Sequence, residues 1–157
     1  MRLSQTDPRS REIFTHVGHL CTEFAGLEIL LLQFVSRFTY PNNPERWCED
    51  LPNTEFKKTV REFQQVISKR TQDPSCLGKA ASLAETMFQI ADDRNDIAHS
   101  SWIAFSRGDF GQHRARPKGK TPTAETHARN PIKKISQVVD RIDAVISALD
   151  DLEEHIE

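Results

Sequence analysis

Four stretches of the chain carry apolar residues at three- and four-residue spacing, which is the mark of amphipathic helices. The first holds Ile13, Val17, Leu20, Phe24, Leu27, Leu31, Val35 and Phe38, with Cys21 alongside. Asp7-Pro8 opens it as a cap followed by a proline at the first helical position, and Tyr40-Pro41-Asn42-Asn43-Pro44 stops it. The second runs from about Thr54 to Lys69 with a narrow stripe of Phe56, Val60, Phe63 and Ile67. Asp73-Pro74 repeats the opening signal, and Leu77, Ala80, Leu83, Ala84, Met87, Phe88, Ala91 and Ala98 then predict a third helix. The last opens at Asn130-Pro131 and carries Ile132, Ile135, Val139, Ile142, Ile146 and Leu149, flanked by Val138, Val145 and Leu152. Between the third and last helices the period changes. Ser101 to Phe105 and Phe110 to Arg114 flank an Arg107-Gly108-Asp109 turn, which predicts a short β-hairpin or an irregular flap, and residues 115–129 show no period. The expected fold is all-α: an up-down four-helix bundle with this insertion, at about 101–129, before the last helix.

Composition narrows the class. A chain of 157 residues holds one domain with a proper core, and 37% hydrophobic residues, 28% charged residues and only six glycines suit a soluble helical protein. No run of about 18 consecutive apolar residues suggests a membrane span, and Met1-Arg2-Leu3-Ser4-Gln5 lacks a secretory apolar core, so a cytoplasmic location with no membrane partner is expected. Cys21, Cys48 and Cys76 show no C-x-x-C spacing and read as reduced thiols. His16 and His19 lie one turn apart beside Glu23 without a third convergent ligand, so no metal site and no cofactor is expected. Ile29, Leu30 and Phe34 lie off the main stripe of the first helix. They predict either a partner surface or cover from the Arg46-Trp47-Cys48 segment.

The net charge of −2 conceals segregation. From Arg107 to Lys134, the basic residues Arg107, Arg114, Arg116, Lys118, Lys120, Arg129, Lys133 and Lys134 face only Asp109 and Glu125. From Ile135 onward seven acidic residues face the single base Arg141. The basic segment has the composition of a polyanion footprint, and equally that of a solvated loop.

The candidate chemistry sits at the end of the third helix, in Arg94-Asn95-Asp96-Ile97-Ala98-His99. Arg94, Asn95 and His99 are placed on the apolar face, whereas Asp92, Asp93 and Asp96 project outward with Glu85 and Gln89. Inward polar groups need partners, and Glu28, inside the stripe of the first helix, is the candidate to pair with Arg94 across the core. The ordinary alternatives are a structural ion pair at Arg94, a helix-end hydrogen bond at His99 and a solvated Glu28.

The hexapeptide R-N-D-I-A-H resembles the R-N-x-x-x-H signature of HEPN-domain ribonucleases, and the helical pattern resembles the fold of that family. The resemblance implies a metal-independent endoribonuclease of toxin, abortive-infection or related defence systems. It also implies a homodimer that brings two motifs together, with an antitoxin protein as a further partner. His99 would be general acid or base, Arg94 the phosphate clamp and Asn95 a positioning donor. An imidazole titrating near neutrality suits proton transfer with a ribose 2′-hydroxyl, and a guanidinium suits phosphorane charge. RNA would be held by Arg107, Arg114, Arg116, Lys118 and Lys120, with Trp102, Phe105 or Phe110 stacking on unpaired bases. Two other readings remain open: a non-catalytic helical module binding RNA, nucleotide or protein, and a metal-dependent enzyme using Asp92, Asp96 and His99.

Overall fold

The computed structural model describes residues 8–50, 55–104, 110–114, 126–128 and 130–156. The chain is mostly helical: α1 (Pro8–Thr39), a 3₁₀ turn (Pro44–Arg46), the short α2 (Trp47–Asp50), α3 (Phe56–Arg70), α4 (Pro74–Ala98) and α5 (Pro131–Ile156). Between α4 and α5 the backbone forms β1 (Ser100–Ala104), β2 (Phe110–Arg114) and β3 (Thr126–Ala128), an antiparallel sheet in the order β1-β2-β3.

Two of the predicted caps are in place. The Asp73 carboxylate accepts from the backbone N–H groups of Ser75 at 3.1 Å and Cys76 at 3.3 Å, and Asn130 Oδ1 accepts from that of Lys133 at 3.0 Å. These side chains satisfy donors that a helix start leaves orphaned. The cap expected at Asp7 and the helix start expected at Thr54 lie outside the described residues.

The four long helices share one core. Ile13, Leu20, Phe24, Leu27, Leu31 and Val35 of α1 meet Phe56, Val60, Phe63 and Ile67 of α3. Ala80, Ala84, Met87, Ala91 and Ile97 of α4 and Ile135, Ile142 and Leu149 of α5 complete it. In α4 the buried face is displaced from the predicted one. Cys76, Ile90 and Ile97 are buried, while Leu77, Leu83 and Phe88 are only partly so. In α5, Val138, Val145 and Leu152 are buried and Val139 and Ile146 partly buried, because α5 packs on both α1 and α4 and presents a broad face.

The helix directions correct the expected up-down alternation. Phe24 packs on Phe56 with ring centroids 4.8 Å apart, Phe34 on Phe63 at 5.4 Å, and Arg70 donates to the Phe38 carbonyl at 3.2 Å, so α1 and α3 run parallel. Lys57 near the start of α3 pairs with Asp92 near the end of α4 at 2.6 Å, which makes those two antiparallel. Arg141 in the first half of α5 pairs with Asp93, and Arg37 at the end of α1 with Glu153 at the end of α5. Helix α4 therefore runs against the other three. Short loops enforce antiparallel neighbours, but the α1–α3 connection is long. Returning from Thr39 to the level of Phe24 takes about 22 Å at 1.5 Å per helical residue, and an extended chain covers this easily at about 3.3 Å per residue.

The apolar surplus on α1 is smaller than expected. Phe34 is buried between Phe38 and Phe63, and Ile29 is partly buried, whereas Leu30 is 39% exposed and Phe14, not singled out by the pattern, is 54% exposed. The stretch Arg11–Thr39 is also long and apolar enough, by length and composition alone, to cross a membrane. Ile13, Leu20, Phe24, Leu27, Leu31 and Val35 within it are nevertheless buried in the core shared with α3, α4 and α5, while Phe14 and Leu30 are exposed.

Candidate active site

The motif occupies the last turn of α4 and the residue beyond it. Arg94 and Asn95 are partly buried, and they are joined by a hydrogen bond from Arg94 Nη1 to Asn95 Oδ1 at 3.0 Å. The guanidinium lies over the Phe24 ring of α1, with Cζ 4.9 Å from the centroid. Phe24 is itself buried against Phe56, so the platform under the cation is rigid. Arg94 Nε is buried without a hydrogen-bond partner among the described residues, and only the Nη1 end is engaged.

His99 departs from its expected place. It is exposed and stands outside the helix as its C-cap, at φ −94° and ψ 8°, with its backbone N–H donating to the carbonyls of Asn95 and Ile97. The reason is geometric. Five residues at about 100° each carry His99 about 140° around the helix from Arg94, so the two do not share a face. Asn95, one turn earlier, is the motif residue on His99's side, linked to it by the backbone bond of 3.1 Å. Asn95 thus accepts from the Arg94 guanidinium through its side chain and from the His99 backbone N–H through its carbonyl.

Glu28 also differs from expectation. It is partly buried on α1, one turn after Phe24, but no ion pair joins it to Arg94 among the described residues. Burial raises its pKa above the ordinary carboxyl value, and the charge of Arg94 only partly opposes that. Glu28 is a desolvated carboxyl near a cation rather than half of a salt bridge. The aspartates beside the motif are structural anchors: Asp92 to Lys57 of α3, Asp93 to Arg141 of α5, and the Asp96 carbonyl to the Ser100 hydroxyl. Among the described residues no group of three His, Cys, Asp or Glu side chains is placed to hold a metal ion, which removes geometric support from an Asp92–Asp96–His99 centre.

Trp102 is corrected outright. It is 6% exposed, belongs to the core, and its indole N–H donates to the Ile97 carbonyl at 3.3 Å. A ring in that position ties β1 to the end of α4 and is closed to an RNA base. Arg107, Arg116, Lys118 and Lys120, with Phe105, lie outside the described residues. The backbone of Arg114 is described: it ends β2 opposite Ser100, so the ladder brings this position next to His99.

Phe24 is the residue that the sequence pattern used only as core. Its signal was its spacing, since it lies one turn before Glu28 on the stripe of α1 that faces the Arg94 side of α4. No protein-family model, curated protein or solved structure matches this chain.

Proposed function

We propose that the chain is a metal-independent endoribonuclease of the HEPN type, acting in a toxin or defence-type system in the cytoplasm. The observation that carries the reading is the motif's arrangement. Arg94 is fixed between Phe24 and Asn95 with donors to spare, and His99 stands exposed at the same helix end. In fold terms the proposal takes α1, α3, α4 and α5 as a four-helix bundle carrying the β segment as an insertion.

The chemistry needs only groups of this kind. When a ribose 2′-oxygen attacks the adjacent phosphorus, the O2′–P bond forms and the P–O5′ bond breaks, with one proton removed from O2′ and one delivered to O5′. His99 handles one of these protons. The guanidinium of Arg94 donates to the phosphorane oxygens, and the amide of Asn95 holds that guanidinium in place. One imidazole does not readily serve both protons at once, so a homodimer supplies the second from the partner copy. Arg107, Arg114, Arg116, Lys118 and Lys120 hold the RNA backbone, and an antitoxin protein restrains the enzyme. Trp102 has no part in base stacking.

The alternative is a non-catalytic helical module binding RNA, nucleotide or protein, and one observation favours it. A guanidinium stacked on a core aromatic with a buried Nε is also how a purely structural arginine sits. End analysis of single-stranded RNA incubated with the protein in EDTA separates the two. The proposal expects fragments ending in 2′,3′-cyclic phosphate with free 5′-hydroxyls. Binding without cleavage supports the alternative, and 5′-phosphate ends contradict the 2′-oxygen mechanism.

A further inference from the structure

The first three-quarters of α1 keep one uncharged face open. Phe14, Gly18, Cys21, Ala25 and Ile29 fall within about 80° on a helical wheel, clear of the core stripe through Leu20, Phe24 and Leu27. Phe14, Gly18 and Ala25 are exposed, Cys21 and Ile29 partly so, and Phe14 at 54% is the most exposed large hydrophobic side chain among the described residues. The hydroxyls bordering the face already have acceptors: Thr15 donates to the Arg11 carbonyl at 2.8 Å and Thr22 to that of Gly18 at 3.0 Å. The face therefore presents no unmatched side-chain donor to whatever packs on it.

Glycine inside a helix costs about 0.5–1 kcal/mol relative to alanine. Gly18, on this face, and Gly26, at its edge, lie within α1, yet among the described residues nothing comes within 4 Å of where a Cβ would stand. No contact inside the chain asks for them, whereas close approach of a second helix does. The order of side chains along the face identifies that helix. From the middle outward it runs Cys21 and Thr22, then Gly18 and Ala25, then Phe14 and Ile29, each pair centred on the same point. Turned end for end about that point, the face is its own complement: Phe14 meets Ile29, and Gly18 meets Ala25. A two-fold contact between identical chains requires such self-complementarity, and a contact with an unrelated protein does not.

We propose that α1 packs antiparallel on α1 of a second copy of this chain, about a two-fold axis between Cys21 and Thr22. Small residues at the crossing let the helix axes approach to about 8 Å, and with Cα atoms about 2.3 Å from each axis the two Cys21 Cα atoms come within about 5 Å. That separation suits a disulfide. Phe24, which carries the Arg94 guanidinium at 4.9 Å, is less than one turn from the axis. The two Phe24 positions are then only about 7.5 Å apart along the helix direction, and the symmetry sets both Arg94 groups on the same side of the pair. The inference rests on the proposed function in giving its homodimer a surface, but it is tested by association alone.

Sedimentation of the whole chain at micromolar concentration, with no RNA present, is expected to show a dimer. Gly18→Arg sets two like charges in the contact and is expected to weaken association about 100-fold or more. Arginine is a better helix former than glycine and meets open space there, so the variant keeps its fold. In a Cys48→Ser background, which removes the exposed thiol, mild oxidation is expected to link two chains through Cys21, and adding Cys21→Ser to abolish the link. A wild-type monomer overturns the proposal and leaves the face to a different partner. A dimer that Gly18→Arg leaves intact, or that oxidation does not link through Cys21, uses another surface and overturns it equally. A Cys21-linked dimer that cleaves no RNA upholds it and removes the ribonuclease reading alone.

Discussion

At the scale of single residues, two side chains behave differently from what their letters suggest, and both are testable. Glu28 sits near a cation yet has its pKa raised, because loss of solvent outweighs the attraction of Arg94. The sign of the consequence follows from linkage. A carboxyl with a folded pKa above its unfolded value binds its proton more tightly when folded, so it is neutral and costs nothing below about 4.5, its ordinary value. Its ionisation penalises folding as the pH rises through the elevated folded pKa. Glu28→Gln should therefore leave stability unchanged at pH 4 and equal or raise it at pH 7. Thermal melts of both proteins across that range check the direction, and a lower melting temperature for Glu28→Gln at pH 7 alone would mean a true ion pair with Arg94. Trp102 makes the complementary case. Trp102→Phe removes the indole bond to the Ile97 carbonyl and should cost about 1 kcal/mol, plus a packing loss. RNA affinity measured by fluorescence anisotropy should not change, whereas a stacking residue would lose about 1–3 kcal/mol of binding.

At the scale of elements, the caps are the sharpest link between sequence and structure. Asp73 accepts two backbone donors at the start of α4, so Asp73→Ala should destabilise the chain by about 1 kcal/mol in urea denaturation without changing the slope. The helices, the stripe of α3 and most of the α1 core were legible, because apolar spacing and Asp-Pro or Asn-Pro punctuation are local signals. Direction was not. Whether α3 runs with or against α1 depends on how residues 40–55 return the chain, and no period encodes that path. The exact buried faces of α4 and α5 were also set by neighbours, since Ile90, Val138 and Val145 are buried only when helices pack on two sides. At the site, the residue types of the motif were legible and their orientation was not. The five-residue spacing already sets Arg94 and His99 about 140° apart on a helical wheel, against the shared face expected of them, and the end of the helix between Ala98 and His99 is what no period encodes.

At the scale of the whole molecule, the arrangement joins a rigid half to an accessible one. Helix α4 is anchored near its end to α3 through Lys57–Asp92 and to α5 through Arg141–Asp93, and Trp102 holds the first strand against it. Arg94 inherits that rigidity through Phe24 and Asn95, while His99 is exposed at the same helix end. Anchoring of this kind suits transition-state stabilisation, which depends on donors that do not reorganise during reaction. The proposed activity stands or falls on the imidazole, which is exposed and contributes nothing to the core. The deciding measurement is the rate of single-stranded RNA cleavage in EDTA by wild type and by His99→Ala, with the helical content of both recorded. Wild type should cleave, and the folded variant should be slower by about 100-fold or more, the lower bound of what a positioned acid or base contributes. Equal rates, or no cleavage by the wild type, would contradict the ribonuclease reading.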